Sequence, residues 1–197
     1  MQKKRIGSIK RETKETSIKL DLNIDGCGKT EINSGIGFLD HMLDLLSFQA
    51  LFDLKLDCKV DLEIDTHHTT EDIGISMGMA LSDAIGEKKN IFRYGFSYVP
   101  MDEALIRTVL DFSGRPEFVF SGEFNRSMLG KLDTQMITHF FKSLSISAKI
   151  TLHMSILYGL NDHHKCEGLF KSFGRSLRSA IEIDPRRKGI VSTKGML

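Results

Sequence analysis

Thr66–Gly78 reads THHTTEDIGISMG, and Asp162–Gly174 reads DHHKCEGLFKSFG. In each, two adjacent histidines stand just ahead of a glutamate: His67 and His68 before Glu71, His163 and His164 before Glu167. A shift of 96 residues lays one stretch on the other. It also carries Ile73, Met77, Leu81, Ala84 and Ile85 onto Leu169, Phe173, Leu177, Ala180 and Ile181, and Gly78 onto Gly174. Apolar residues at this spacing predict an amphipathic helix in each copy, the first of them stopped at Gly86.

The duplication extends upstream. GIGFLDHMLDLLSFQ (Gly35–Gln49) repeats Phe38, Leu39, Met42, Leu43 and Leu46 at helical spacing, and a shift of 98 takes His41 to His139, Leu43 to Phe141 and Leu46 to Leu144. The change from 98 to 96 predicts a connection two residues shorter in the second half. TSIKLDLNID (Thr16–Asp25), DLKLDCKVDLEID (Asp53–Asp65) and KITLHMSILYG (Lys149–Gly159) alternate apolar and polar residues with a period of two, the pattern of antiparallel strands with one buried face. Each half therefore reads strand, strand, helix, strand, helix. The expectation is an α+β fold of two duplicated half-domains, each a roughly four-stranded sheet with two helices. The first repeat spans 1–90, the second 91–185, and 186–197 forms a C-terminal segment.

The totals narrow the function. The chain has 197 residues, enough for one sizeable core or two small ones. With 27 basic and 26 acidic residues it lacks the cationic surplus of a nucleic-acid binder, so neither nucleic acid nor membrane is an expected partner. No run of about 18 apolar residues predicts a membrane span. The N-terminal MQKKRIGSIKRETKET has no apolar core of a secretory signal. Cys27, Cys58 and Cys166 form no paired framework, which fits a reducing compartment and a cytoplasmic location.

The histidines carry the chemistry. On a helix, residues four apart lie about 40° from one another, so His67 and Glu71 share a face, as do His163 and Glu167. Imidazole nitrogen with carboxylate oxygen suits Mn, Fe, Co or Zn. One such cluster is readily explained as a polar helix start. Two at matching positions, each with a histidine on the matching earlier helix, point to metal. Six of the seven histidines fall in the pattern; His153, in a strand, does not. Cys166 has Thr70 as its counterpart and is a bystander. Adjacent histidines diverge by about 100°, so one ion is assigned His41, His67 and Glu71, and the other His139, His163 and Glu167. His68 and His164 would then each face the opposite ion.

Basic residues supply an anion site. Arg93 stands at the junction of the halves, Arg115 in a Ser-Gly-Arg-Pro turn, Lys171 one turn after Glu167, and Ser192 with Lys194 in the C-terminal VSTKGML. Guanidinium, ammonium and hydroxyl groups are the usual equipment for phosphate.

GIGFLDHMLDLL, DTHHTTEDIGISMG, MDEAL, DFSGRPEF, HFFKSL, LNDHHKCEGLFKSFGRSL and STKGML together resemble the imidazoleglycerol-phosphate dehydratases of histidine biosynthesis, from about Arg11 to the C-terminus. The resemblance implies a fold like the second domain of ribosomal protein S5, two Mn(II) ions per active site, and self-association into a 24-subunit particle with metal-bridged interfaces. It also implies a small phosphorylated imidazole substrate, imidazole glycerol phosphate, dehydrated to imidazole acetol phosphate through an imidazolate held by the two metals. By the same resemblance Glu15 and Asp102 are catalytic carboxylates, and Glu71 and Glu167 ligate metal and shuttle protons. Arg93, Arg115, Ser192 and Lys194 hold the phosphate with Lys171 close by. Gln49 takes a substrate-contact position: relatives usually carry His-Gly where this chain has Gln49-Ala50.

Overall fold

The computed structural model describes residues 4–60 and 66–195. Leu62 and Ile64, which end the second strand pattern in the sequence, lie outside the described residues. In the first half β1 (Ile6–Glu12), β2 (Thr16–Asn23), β3 (Thr30–Asn33), α1 (Gly37–Ala50), β4 (Asp53–Val60) and α2 (His67–Ile85) follow in order. The second half has β5 (Tyr94–Met101), β6 (Ala104–Asp111), β7 (Glu117–Ser121), a small hairpin β8 (Met128–Leu129) and β9 (Leu132–Asp133), then α3 (Thr134–Ala148), β10 (Thr151–Tyr158) and α4 (Asp162–Ile181).

The two four-stranded sheets have the same topology, β1-β2-β4-β3 and β5-β6-β10-β7. The row Ile9, Leu20, Leu56, Ile32 in one answers the row Ser97, Thr108, Met154, Phe120 in the other. The four-stranded sheet of each half thus has one strand more before the first helix than the element order read from the sequence. The extra strands, β3 and β7, are short edge strands running parallel to β4 and β10. Four residues, TEIN, are too few to display an alternation. The β8–β9 hairpin lengthens the second half before α3, which changes the offset between the halves from 88 in the first strands to 98 at the helix that follows. The shorter second connection expected from the sequence runs from β10 to α4.

Both sheets turn one face to the helices. Ile18, Leu20, Leu22, Leu54 and Leu56 are buried from the first, Ile106, Leu110, Leu152 and Met154 from the second, in one core that runs through both halves. Each such side chain contributes about 2 kcal/mol on leaving water. α2 lies on β1 and β2 and packs on α3; α4 lies on β5 and β6 and packs on α1. The helices therefore pair between halves. Small residues allow it: a Cβ on Gly78 would stand 2.5 Å from the Leu144 carbonyl oxygen, and one on Gly174 2.5 Å from that of Leu46. α3 is capped by Asp133, which accepts from the Gln135 N–H, and α4 by Asn161, which accepts from that of His163.

Candidate functional site

The cross-pairing of helices regroups the histidines. His41 on α1 and His163 on α4 both reach Glu167, with Nε2 atoms 3.3 Å and 2.9 Å from its Oε1. His139 on α3 joins α2: its Nε2 lies 3.3 Å from Glu71 Oε1, and that of His67 3.9 Å from Oε2. The division expected from the sequence, His41 with His67 and Glu71, is thus corrected. α1 packs on α4 rather than on α2, so His41 and His139 exchange places. Among the described residues these are two groups of three ligand-type side chains whose donor atoms lie within 4.8 Å of one another.

The donor sets fit a divalent transition ion. Ligands sharing one such ion at about 2.1 Å stand roughly 3 Å apart, close to the spacing of His41, His163 and Glu167. His139 Nε2 is buried without a hydrogen bond, an orphan that an ion at this place would satisfy. Burial would raise the Glu167 carboxyl, but hydrogen bonds from Lys171, His163 and His41 outweigh it and hold it at about 2. Glu167 is therefore a carboxylate throughout the working range. Cys166 lies buried beside it with its thiol 3.5 Å from Met42 Sδ, and burial pushes that thiol well above its usual range, as expected of a bystander.

The second histidine of each pair stands apart from its triad. His68 Nδ1 lies 3.3 Å from Glu15 Oε2 in the β1–β2 turn. His164 Nδ1 lies 2.6 Å from Glu103 Oε2 in the β5–β6 turn, with its Nε2 3.7 Å from Asp102. Within one chain, then, they meet turn carboxylates rather than the opposite triad. Glu103 is a residue that sequence reasoning passed over in favour of its neighbour Asp102. The signal was present: the offset of 88 that relates the strands carries Glu15 onto Glu103. Backbone N–H groups of Asn161 and Leu160 and the His164 ring hold Glu103 down at about 2, and its hydrogen bond raises His164.

Arg93, Arg115, Ser192 and Lys194 line a groove of roughly 500 Å³, together with Tyr94, Arg187, Ile190, Val191 and Thr193. Among the described residues that line it are cations and hydroxyls and no carboxylate. Arg93 is already engaged: Nε and Nη2 grip Asp111 at 2.6 and 2.9 Å, and Nη1 donates to the Val191 carbonyl, which ties down the C-terminal segment. Ser113 shapes the Arg115 turn by accepting its N–H at 3.0 Å. Arg187 is a further cation that sequence reasoning missed within the run DPRRKG. Two expected members are elsewhere. Lys171 sits on Glu167 Oε2 at 2.5 Å, and Gln49 lies at the α1–α4 crossing beside Gly174.

A sequence model of one family, imidazoleglycerol-phosphate dehydratase, matches residues 34–177, a span that holds all six clustered histidines and both glutamates. The chain belongs to this family. Membership makes it an enzyme of the hydro-lyase class. The imidazoleglycerol-phosphate dehydratase of Clostridium acetobutylicum is 51% identical over 197 residues, the whole of both chains. That of Acetivibrio thermocellus is 52% identical over 189 residues, 96% of this chain and 97% of its own. Among solved structures, the dehydratase from Staphylococcus aureus superposes with a TM-score of 0.81 at 37% identity, covering 90% of this chain and 99% of that one. The dehydratase from Pyrococcus furiosus gives 0.82 at 32% identity over 96% and 100%. The duplicated α+β architecture is accordingly the dehydratase fold.

Proposed function

We propose that the chain converts imidazole glycerol phosphate to imidazole acetol phosphate and water in histidine biosynthesis, with two Mn(II) ions per active site. The observation that carries this reading is the pair of His-His-Glu triads, each built across the two halves. Manganese at these ligands supplies Lewis acidity that lowers the cost of an anionic imidazole ring. The chain's own groups do the rest. Arg115, Ser192 and Lys194 bind the phosphate, and Arg93 holds the segment that carries two of them. Lys171 keeps Glu167 ionised and oriented. Glu15, half-exposed and 3.3 Å from His68 Nδ1, moves the proton at the reacting carbon. Asp102, on a left-handed turn (φ 46°), largely exposed and 3.7 Å from His164, is the second catalytic carboxylate of this reading.

The reading includes self-association into a 24-subunit particle and a cytoplasmic location. The outer face of the second sheet supports assembly: Tyr94, Phe96, Tyr98, Val109 and Val119 are exposed there, where the first sheet presents Lys10, Asp21, Lys55 and Glu31. His68 and His164, directed away from their own triads, would serve ions of neighbouring chains. Residues 1–90 and 91–185 act as the two repeats, with 186–197 completing the phosphate groove. No helix among the described residues is long and apolar enough to cross a membrane. The deciding experiment is a dehydratase assay on chelated protein with and without added Mn(II); full turnover in the proven absence of metal would sink the reading.

A further inference from the structure

The two β-hairpin turns that approach the histidine pairs are equivalent by the duplication, yet they are fastened differently. In the second half the turn carboxylate is itself the fastener. Glu103 accepts N–H groups of Leu160 and Asn161 at 3.1 and 2.7 Å and meets His164 at 2.6 Å, so it is fully engaged at the start of α4. Among the described residues Glu15, its counterpart, accepts no backbone N–H, the equivalents of Leu160 and Asn161 lying outside them, and its hairpin is held by other means. Arg11, just before the turn, donates to Asp72 Oδ1 from Nε and Nη2 at 3.0 and 2.8 Å. Thr16, just after it, donates to Asp72 Oδ2 at 2.5 Å.

From Asp72 a relay of hydroxyls reaches the backbone of Glu15. With the Thr16 hydroxyl proton committed to Asp72, Thr13 is the donor of the 3.0 Å hydroxyl pair. Thr13 Oγ1 in turn accepts the N–H groups of Glu15 at 3.2 Å and Thr16 at 2.9 Å. Asp72 is buried and adjacent to Glu71, so the relay links the helix bearing one triad to the turn bearing the carboxylate. Nothing of the clamp survives in the second half, where the equivalents of Arg11, Thr16 and Asp72 are Val99, Ala104 and Gly168. There a Cβ on Gly168 would collide with the Ile106 side chain at 2.4 Å, so apolar packing fills the place of the acid.

We propose that Asp72 is a positioning residue: through Arg11, Thr16 and Thr13 it fixes the turn that presents Glu15 for proton transfer, whereas the counterpart turn is fastened by Glu103 itself. The inference rests on the assignment of Glu15 as the proton-moving group. Misplacement of a reacting group by about 1 Å costs on the order of a hundredfold in rate, so partial loosening should cost about tenfold.

The test uses the full-length, manganese-loaded protein with Thr16→Val, which keeps the side chain's shape and removes its hydroxyl, Thr16→Ser, which restores the hydroxyl, and Asp72→Asn. Hydrogen exchange by mass spectrometry reads the clamp independently of turnover. Thr16→Val and Asp72→Asn should speed exchange over residues 12–16 while α2 stays protected, lower kcat about tenfold, and leave KM and bound manganese unchanged. Thr16→Ser should return kcat to within twofold of the parent. Unchanged exchange and unchanged kcat in both loosened variants would overturn the proposal, as would exchange spreading through α2 or a fall in kcat that tracks lost metal. Glu15→Gln separates the two ideas: its retained turnover would remove Glu15 from catalysis, whatever the exchange data show of the clamp.

Discussion

Arg115 and Lys194 are cations whose surroundings make them available. Both are exposed, both line the groove, and neither is paired with a carboxylate among the described residues. Arg115→Ala or Lys194→Ala should therefore weaken substrate binding while metal content stays normal. A charge-assisted contact is worth on the order of 1.5–3 kcal/mol, so kcat/KM should fall roughly tenfold or more, as steady-state kinetics will show. Glu167 makes a prediction of a different kind. Its carboxyl is held at about 2 in the folded chain, below an ordinary value of 4.5. A depressed carboxyl stabilises the fold fully above its unfolded value and loses that contribution as pH falls through the folded one. In metal-free protein the stability gap between the parent and Glu167→Gln should then be widest above pH 4.5, about 3 kcal/mol at most, and close as the pH approaches 2. Thermal unfolding across that range measures it.

The helix crossings hold the triads together. At Gly174 and Gly78 the facing element is main chain, which cannot swing aside as a flexible side chain does. Gly174→Ala should cost about 1–3 kcal/mol of stability by overpacking, seen as a lower unfolding temperature. It should also weaken metal binding at the triad that His41 completes, because α1 must move off α4; calorimetric titration with Mn(II) distinguishes that triad's loss from a uniform one. The elements were unequally legible beforehand. α1, α2 and α4 could be read from apolar spacing, and β2, β4 and β10 from alternation, because each buries one face and is long enough to show its period. β3 and β7 could not, since a short edge strand borrows its order from the neighbour it pairs with. The repeat in the early strands was concealed for another reason. Outward positions are free to diverge, and Ser8, Asp21 and Glu31 stand where the second half has Phe96, Val109 and Val119.

Assembly and metal binding should behave as one event in the intact particle. If His68 and His164 ligate ions of neighbouring chains, metal binds the assembled state alone and favours it by mass action. Chelation should convert the particle to a smaller oligomer, with Mn(II) restoring both size and activity, and substitution of His68 or His164 should impair both. Imidazole must be neutral to ligate and Glu103 raises the pKa of the His164 ring, so acidification should act in the same direction as chelation. Light scattering decides the matter: a metal-free sample at full particle mass would show that the ions do not bridge chains.

The duplication, the helical faces and the His-to-Glu spacing within α2 and α4 were all readable in the linear chain, because each is a local periodicity that neighbouring residues enforce. Which earlier histidine joins which glutamate was not. His41 and Glu167 are 126 residues apart, and either pairing of the four helices satisfies the same amphipathic pattern. Close packing chose between them, placing Gly174 against Leu46 and Gly78 against Leu144. The same holds for Glu103. In the sequence it is one more charge beside Asp102, and only the folded backbone brings it to the start of α4. Side-chain type and spacing named the candidate ligands; three-dimensional contact selected how they group.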